Sequence, residues 1–130
     1  MAYNSRLQRN GGHQGVYKFD NNATATIIGV IGTYTKVLGN TTSLLLQNFT
    51  HSNNRLTYVN NTTGSKNFYF NINASLSAAN NNQDIRIIVA KNGVALTDFK
   101  IQERLHTAGV AQNIGTQGIV SLQNGDYVEI

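Results

Sequence analysis

The stretch Phe68-Tyr69-Phe70-Asn71-Ile72-Asn73-Ala74-Ser75-Leu76-Ser77 sets Phe68, Phe70, Ile72, Ala74 and Leu76 against Tyr69, Asn71, Asn73, Ser75 and Ser77 in strict alternation. Successive side chains of a strand point to opposite faces, so a period of two reads as a strand with one buried face and one outward face. Such half-buried strands belong to antiparallel sheets.

The neighbouring segments extend the pattern toward the C-terminus. After a polar break over residues 78–83, Asp84-Ile85-Arg86-Ile87-Ile88-Val89-Ala90 is rich in β-branched residues and stops at Asn92-Gly93. That dipeptide accepts positive φ and signals a two-residue hairpin. The returning strand is expected over residues 94–105, with Phe99, Ile101 and Leu105 on one face. A second pair, Asn124-Gly125, separates Ile119-Val120-Ser121-Leu122 from Tyr127-Val128-Glu129-Ile130 and predicts another tight hairpin.

Toward the N-terminus, residues 23–31 and 33–37 are Thr/Ile/Val-rich strand candidates and residues 55–59 another, with loops at 39–42 and 51–54. Gly29 and Gly32 in the first of these regions suggest a bulge, a bend or the close approach of another backbone. No segment has a good helical period. Short strands about ten residues apart, with turn chemistry between them, define an all-β fold, an antiparallel two-sheet sandwich.

A chain of 130 residues fits one domain with one core. It divides into an extended N-terminal arm over 1–20 and the sandwich domain over 21–130. Only 12% of residues are charged, and Asn, Thr, Ser and Gln supply the missing polarity. A neutral polar surface suits packing against other protein. The chain has no Pro to protect strand edges, and assembly is one natural way to cover them. It also has no Cys, which excludes disulfides and thiolate metal sites. The first residues lack the apolar core of a secretion signal, so the encoded chain is expected to be the mature one. No apolar run approaches the roughly 20 residues that span a bilayer, and no membrane partner is expected.

The net charge of +4 is uneven, because Arg6, Arg9 and Lys18 all precede the first acidic residue, Asp20. With Tyr3 and Tyr17 they make a basic, aromatic start. It reads either as an arm that contacts an acidic partner or as a solvated terminus, and it is too sparse for nucleic acid.

Catalytic readings find little support. His13, His51 and His106 lack metal-ligand spacing, so neither metal nor cofactor is assigned. Hydrolysis of a glycan needs two carboxylates about 5 to 9.5 Å apart across one bond. Asp126 and Glu129 are near in sequence, but their odd spacing puts them on opposite faces of a regular strand. No Ser stands in a Gly-x-Ser-x-Gly elbow, and Gly11, Gly12 and Gly15 do not lead from a strand into a helix. The chain is expected not to be an enzyme.

Five segments in order resemble phage structural proteins with a tumour necrosis factor-like jelly roll. They are Asn48-Phe49-Thr50-His51-Ser52, Asn54-Arg55-Leu56-Thr57-Tyr58, the strand at 68–77, Ile87-Ile88-Val89-Ala90-Lys91-Asn92-Gly93, and the close from Ile119-Val120-Ser121-Leu122 to Gly125-Asp126-Tyr127-Val128-Glu129. The resemblance covers roughly residues 27–130. It implies a trimeric jelly roll that serves as a capsid cement (decoration) protein or as the head of a fibre. Family members usually continue beyond the strand at Tyr127 into a final inner-sheet strand, whereas this sequence stops at Ile130. Residues 16–19 or 23–31, from the same or a neighbouring subunit, are expected to take that place.

The expectation is therefore a homotrimeric virion protein on the outer surface of a capsid. It would stabilise the head by binding across neighbouring copies of the major capsid protein. Tyr3, Arg6, Arg9, Tyr17 and Lys18 would form the capsid-binding arm, and Tyr69, Phe68, Phe70 and Tyr127 the trimer interface. For Tyr69 the competing reading is a tyrosine leaning on its own loops. The alternative function is a receptor-binding fibre or spike head, whose loops at 60–66 and 78–83 would hold a host-surface glycan.

Overall fold

The computed structural model describes residues 12–20, 25–61 and 63–130. The described chain is all β, without an α-helix. Its strands are β1 Gln14–Phe19, β2 Thr41–Gln47, β3 Phe49–Ser52, β4 Arg55–Tyr58, β5 Lys66–Leu76, β6 Gln83–Ile87, β7 Ala90–Lys91, β8 Val94–Ala95, β9 Ile101–Leu105, β10 Gln112–Leu122 and β11 Tyr127–Glu129, with a 3-10 turn at Thr97–Phe99. They pair antiparallel in four groups: β1 with β2, β5 with β10, β6 with β9, and a five-stranded sheet ordered β3-β4-β11-β7-β8.

The alternating stretch forms β5, which runs beside β10 in unbroken register from Lys66↔Leu122 to Leu76↔Gln112. Phe68, Phe70, Ile72, Ala74 and Leu76 turn inward, while Tyr69, Asn71, Asn73 and Ser75 are exposed. The inward aromatic end meets the five-stranded sheet. Phe49, Leu56 and Tyr58 from that sheet pack with Val120 and Leu122 of β10, and Tyr17, Phe68, Phe70, Leu96 and Val128 close around them. The Tyr58 and Phe68 rings lie 4.9 Å apart, and Phe49 sits 5.2 Å from each of them. Tyr58 is fully buried, and its hydroxyl accepts a hydrogen bond from Asn60 Nδ2 at 2.7 Å and lies 3.2 Å from His13 Nδ1. Buried side chains of this size contribute about 1.5 to 3 kcal/mol each. The arrangement is compatible with a β-sandwich.

Two glycines allow close approach. A Cβ on Gly118 would lie 2.6 Å from both Phe70 Cζ and Phe99 Cδ1, so the bare backbone makes room for the edge-on contact between those rings. A Cβ on Gly15 would come within 3.1 Å of Phe49 and Leu56, so β1 lies directly on the core.

Four expectations are corrected. First, residues 25–31 and 33–37 form no strand, although their composition suits one; Ala23 and Thr24 lie outside the described residues. Gly32, at φ +86°, instead makes a turn in which Thr33 N–H donates to the Val30 carbonyl at 3.2 Å. A Cβ at Gly29 or Gly32 would meet nothing within 4 Å among the described residues.

Second, Asn124-Gly125 does not close a hairpin. Asn124 keeps a negative φ while Gly125 stands at +89°, and Asp126 N–H donates to the Gln123 carbonyl. That is a type II pattern, whose twist does not match a paired ribbon. The chain therefore crosses from β10 into the other sheet. β1 pairs with β2, and β11 lies between β4 and β7.

Third, the Asn92-Gly93 hairpin exists, with both φ positive at 50° and 79°, but residues 94–105 are not one strand. The Thr97–Phe99 turn breaks them, and Phe99 in that turn packs edge-on against Phe70. Fourth, the expected loops shrink. Thr41 and Thr42 open β2, and only Asn53-Asn54, at φ 50° and 55°, turns between β3 and β4.

Candidate interaction surfaces

The expected arm residues separate. Tyr3, Arg6 and Arg9 lie outside the described residues. Tyr17 and Lys18 lie on β1, whose alternation turns Tyr17 inward and Lys18 outward. Tyr17 stacks on His51 with ring centroids 5.0 Å apart. Among the described residues its hydroxyl is buried without a hydrogen-bond partner. Burial, with the Glu129 carboxylate nearby, pushes its pKa up to about 12. Tyr17 is thus taken up by the domain. Lys18 stays on the surface, 2.8 Å from Asp20, which also accepts a hydrogen bond from the Thr42 hydroxyl. These two bonds hold the Asp20 carboxyl below its ordinary pKa.

The four expected interface residues do not form one patch. Phe68 and Phe70 face the core and pack on Tyr58, Phe49 and Phe99. Tyr69 points the other way and is 64% exposed, next to its cross-strand neighbour Ile119. Its hydroxyl donates to Gln117 on the same ribbon. Tyr127 lies in the other sheet under the Arg55 guanidinium, 4.1 Å from the ring centre.

A second exposed surface did not emerge from sequence reasoning. Residues 25–38 form a finger whose base is closed by Leu38 N–H donating to Thr26 Oγ1 at 3.0 Å. One side of that base is anchored: Lys36 reaches Glu129 at 2.6 Å, Val37 N–H donates to the Ile130 carbonyl, and Asn54 Nδ2 donates to the Gly39 carbonyl. The tip is not anchored, and Ile27, Ile28, Val30 and Ile31 are exposed there, Ile31 completely. On β2, Leu44, Leu45 and Leu46 are also exposed, although consecutive residues of a strand use both faces. The available signal was the absence of any charge between Asp20 and Lys36 in a run of Thr, Ile and Val.

Two carboxylates near the C-terminus are tied to cationic side chains. Asp126 is buried, and its carboxylate accepts hydrogen bonds from Asn92 Nδ2 at 2.7 Å and Gln123 N–H at 3.0 Å, with Lys91 Nζ 2.8 Å away. Glu129, also on the β11 segment, pairs instead with Lys36 and Arg55. Among the described residues no group of three or more His, Asp or Glu could hold a metal ion, and no helix is long and apolar enough to cross a membrane. The concave features are shallow: one of about 380 Å³ lined by Asn73, Ser75, Asn113 and Gly115, and one of about 510 Å³ lined by Asn60, Asn61, Thr63 and Asn124. Comparison of the chain with protein-family models, with curated proteins and with solved structures finds no match.

Proposed function

We propose that the protein is a non-catalytic virion structural protein, a homotrimeric jelly roll that decorates the outer surface of a phage capsid and cements neighbouring copies of the major capsid protein. One observation carries this reading. The domain presents large apolar side chains on surfaces with few charges, at Tyr69 and Ile119 and again along β2, where other protein can cover them. The ordered segments resembling phage jelly rolls supply the virion context. A partner that binds only the assembled shell stabilises it by linkage, and a trimer multiplies weak contacts. Within the basic start, Lys18 and the arginines before it supply charge for an acidic shell, whereas Tyr17 serves the fold.

The Asn-lined depression beside Asn60 and Asn124 favours a second reading, a fibre head that holds a host-surface glycan with amide groups. Counting copies per purified particle separates the two. Hundreds of copies support cement, a handful of trimers supports a fibre, and none removes both.

A further inference from the structure

We propose that the outward face of the β5–β10 ribbon binds an extended, uncharged glycan. The assignment goes beyond both readings above and holds for a cement protein and a fibre head alike. It takes Tyr69 and Ile119 for the glycan and leaves β2 as the apolar surface for other protein.

The register of the ribbon sets the face. From the cross-strand pair Asn67↔Ser121 to the pair Ser75↔Asn113, every second residue of each strand points outward. These rungs are two residues apart, which makes the face ~27 Å long. Its non-glycine residues are all exposed, and none of them is charged although the chain carries a net +4. Ile114 and Val120 are buried behind it, so the face is backed by the domain. One rung is apolar: Tyr69 is 64% exposed and its neighbour Ile119 60%. The Tyr69 hydroxyl donates to Gln117 Oε1, two residues along the opposite strand, which ties the ring toward the ribbon.

The other rungs are amides, hydroxyls and glycine. Asn73 Nδ2 donates to Asn71 Oδ1 at 3.0 Å, which fixes both amides. Gln117 Nε2, Asn71 Nδ2 and Asn73 Oδ1 keep hydrogen-bonding capacity, with no partner among the described residues. Beside them Gly115 keeps the surface low. A Cβ there would stand 2.9 Å from Asn73 Oδ1 and 3.0 Å from the Ile72 carbonyl, at the shallow depression of about 380 Å³. Complementarity selects the occupant. A polyanion finds no cation among these side chains, and a small molecule finds no enclosure. Another protein would have to meet each amide with a fixed partner, since a polar group buried unpaired costs ~1 to 3 kcal/mol. Sugar hydroxyls rotate to donate or accept as each amide requires, and the C–H face of a sugar ring lies on an aromatic such as Tyr69. A linear neutral glycan therefore matches the polar rungs and the apolar rung together.

Affinity electrophoresis of the full chain tests the site, in native gels containing dextran, laminarin, galactomannan or arabinan as neutral polymers and alginate or hyaluronan as acidic ones. At least one neutral polymer should retard the protein. Tyr69→Ala and the double variant Asn71→Ala/Gln117→Ala should each weaken that binding about tenfold, the order of a lost stacking contact, with wild-type circular dichroism and light-scattering mass. Retardation by no neutral polymer, or undiminished retardation of Tyr69→Ala, overturns the site. Loss of binding in Asn124→Ala but not in Tyr69→Ala also overturns it and moves the glycan to the depression beside Asn60. A Tyr69→Ala chain that falls to a smaller mass overturns it too and makes the face a contact between copies. Copy number per particle is independent of these results, so the site can fail while the virion reading stands. Should a variant misfold, amide shifts of the wild type with oligosaccharides of the retarding polymer decide: shifts at Tyr69, Asn71, Gln117 and Ile119 support the site, and shifts confined elsewhere overturn it.

Discussion

Burial alone would push the Asp126 carboxyl up, but hydrogen bonds from Gln123 N–H, Lys91 and Asn92 outweigh it and hold the pKa down at about 2, against an ordinary value of 3.8. The folded protein therefore gains from the charged form. That gain is whole above about pH 4 and drains away as the pH falls toward about 2. Asp126→Asn should cost about 2 kcal/mol in urea unfolding at neutral pH, because Lys91 is left without its counter-charge, and the variant should lose less further stability on acidification than the wild type. Tyr17 behaves oppositely. Burial and Glu129 keep its phenol protonated up to about 12. An unfolded tyrosine releases its proton near pH 10, so this contribution disappears as the pH rises from about 10 to 12. Tyr17→Phe removes a buried hydroxyl that has no partner among the described residues. It should leave stability unchanged or raise it by up to about 1 kcal/mol, and should abolish that alkaline decline in a thermal-midpoint titration. Neither role was legible from sequence, where Asp126 stands as a carboxylate near Glu129 and Tyr17 as part of an arm. The partners that bury them lie 34 residues away at Asn92 and 34 away at His51.

At the scale of elements, the legible parts were those with strict local signals. The period-two stretch became β5, and Asn92-Gly93 became a turn with two positive φ angles. β2 was missed because Leu44-Leu45-Leu46 does not alternate, and alternation marks a strand only where one face is buried and the other wet. Asn124-Gly125 misled because the same dipeptide serves a type II crossing as well as a hairpin, and the φ of Asn124 decides between them. The Asn53-Asn54 turn shows how tertiary bonds override turn preference. Both residues have positive φ, for which Gly is suited, but the Asn54 side chain also donates to the Val37 and Gly39 carbonyls and accepts from the Thr41 hydroxyl. Asn53→Gly should shift the thermal midpoint little, whereas Asn54→Gly should lose ~1 to 2 kcal/mol despite creating a favoured Asn-Gly pair.

At the scale of the whole molecule, the all-β class was legible and the inner boundary of the arm was not, because β1 is held by contacts with β2 and with the core beneath Gly15. Truncation should expose that boundary. Removing residues 1–11 should leave a cooperative thermal transition close to that of the full chain. Removing residues 1–19 should uncover Phe49 and Leu56 and lower the midpoint steeply or cause aggregation. The position of β11 has a kinetic consequence. The β3–β4 and β7–β8 hairpins can each close from local sequence, but their shared sheet is discontinuous until Tyr127–Glu129 slides between them. Translation delivers that segment after every other described strand, so a nascent chain holds two half-sheets waiting for a keystone. Refolding should then be limited by this long-range closure rather than by the speed of either hairpin.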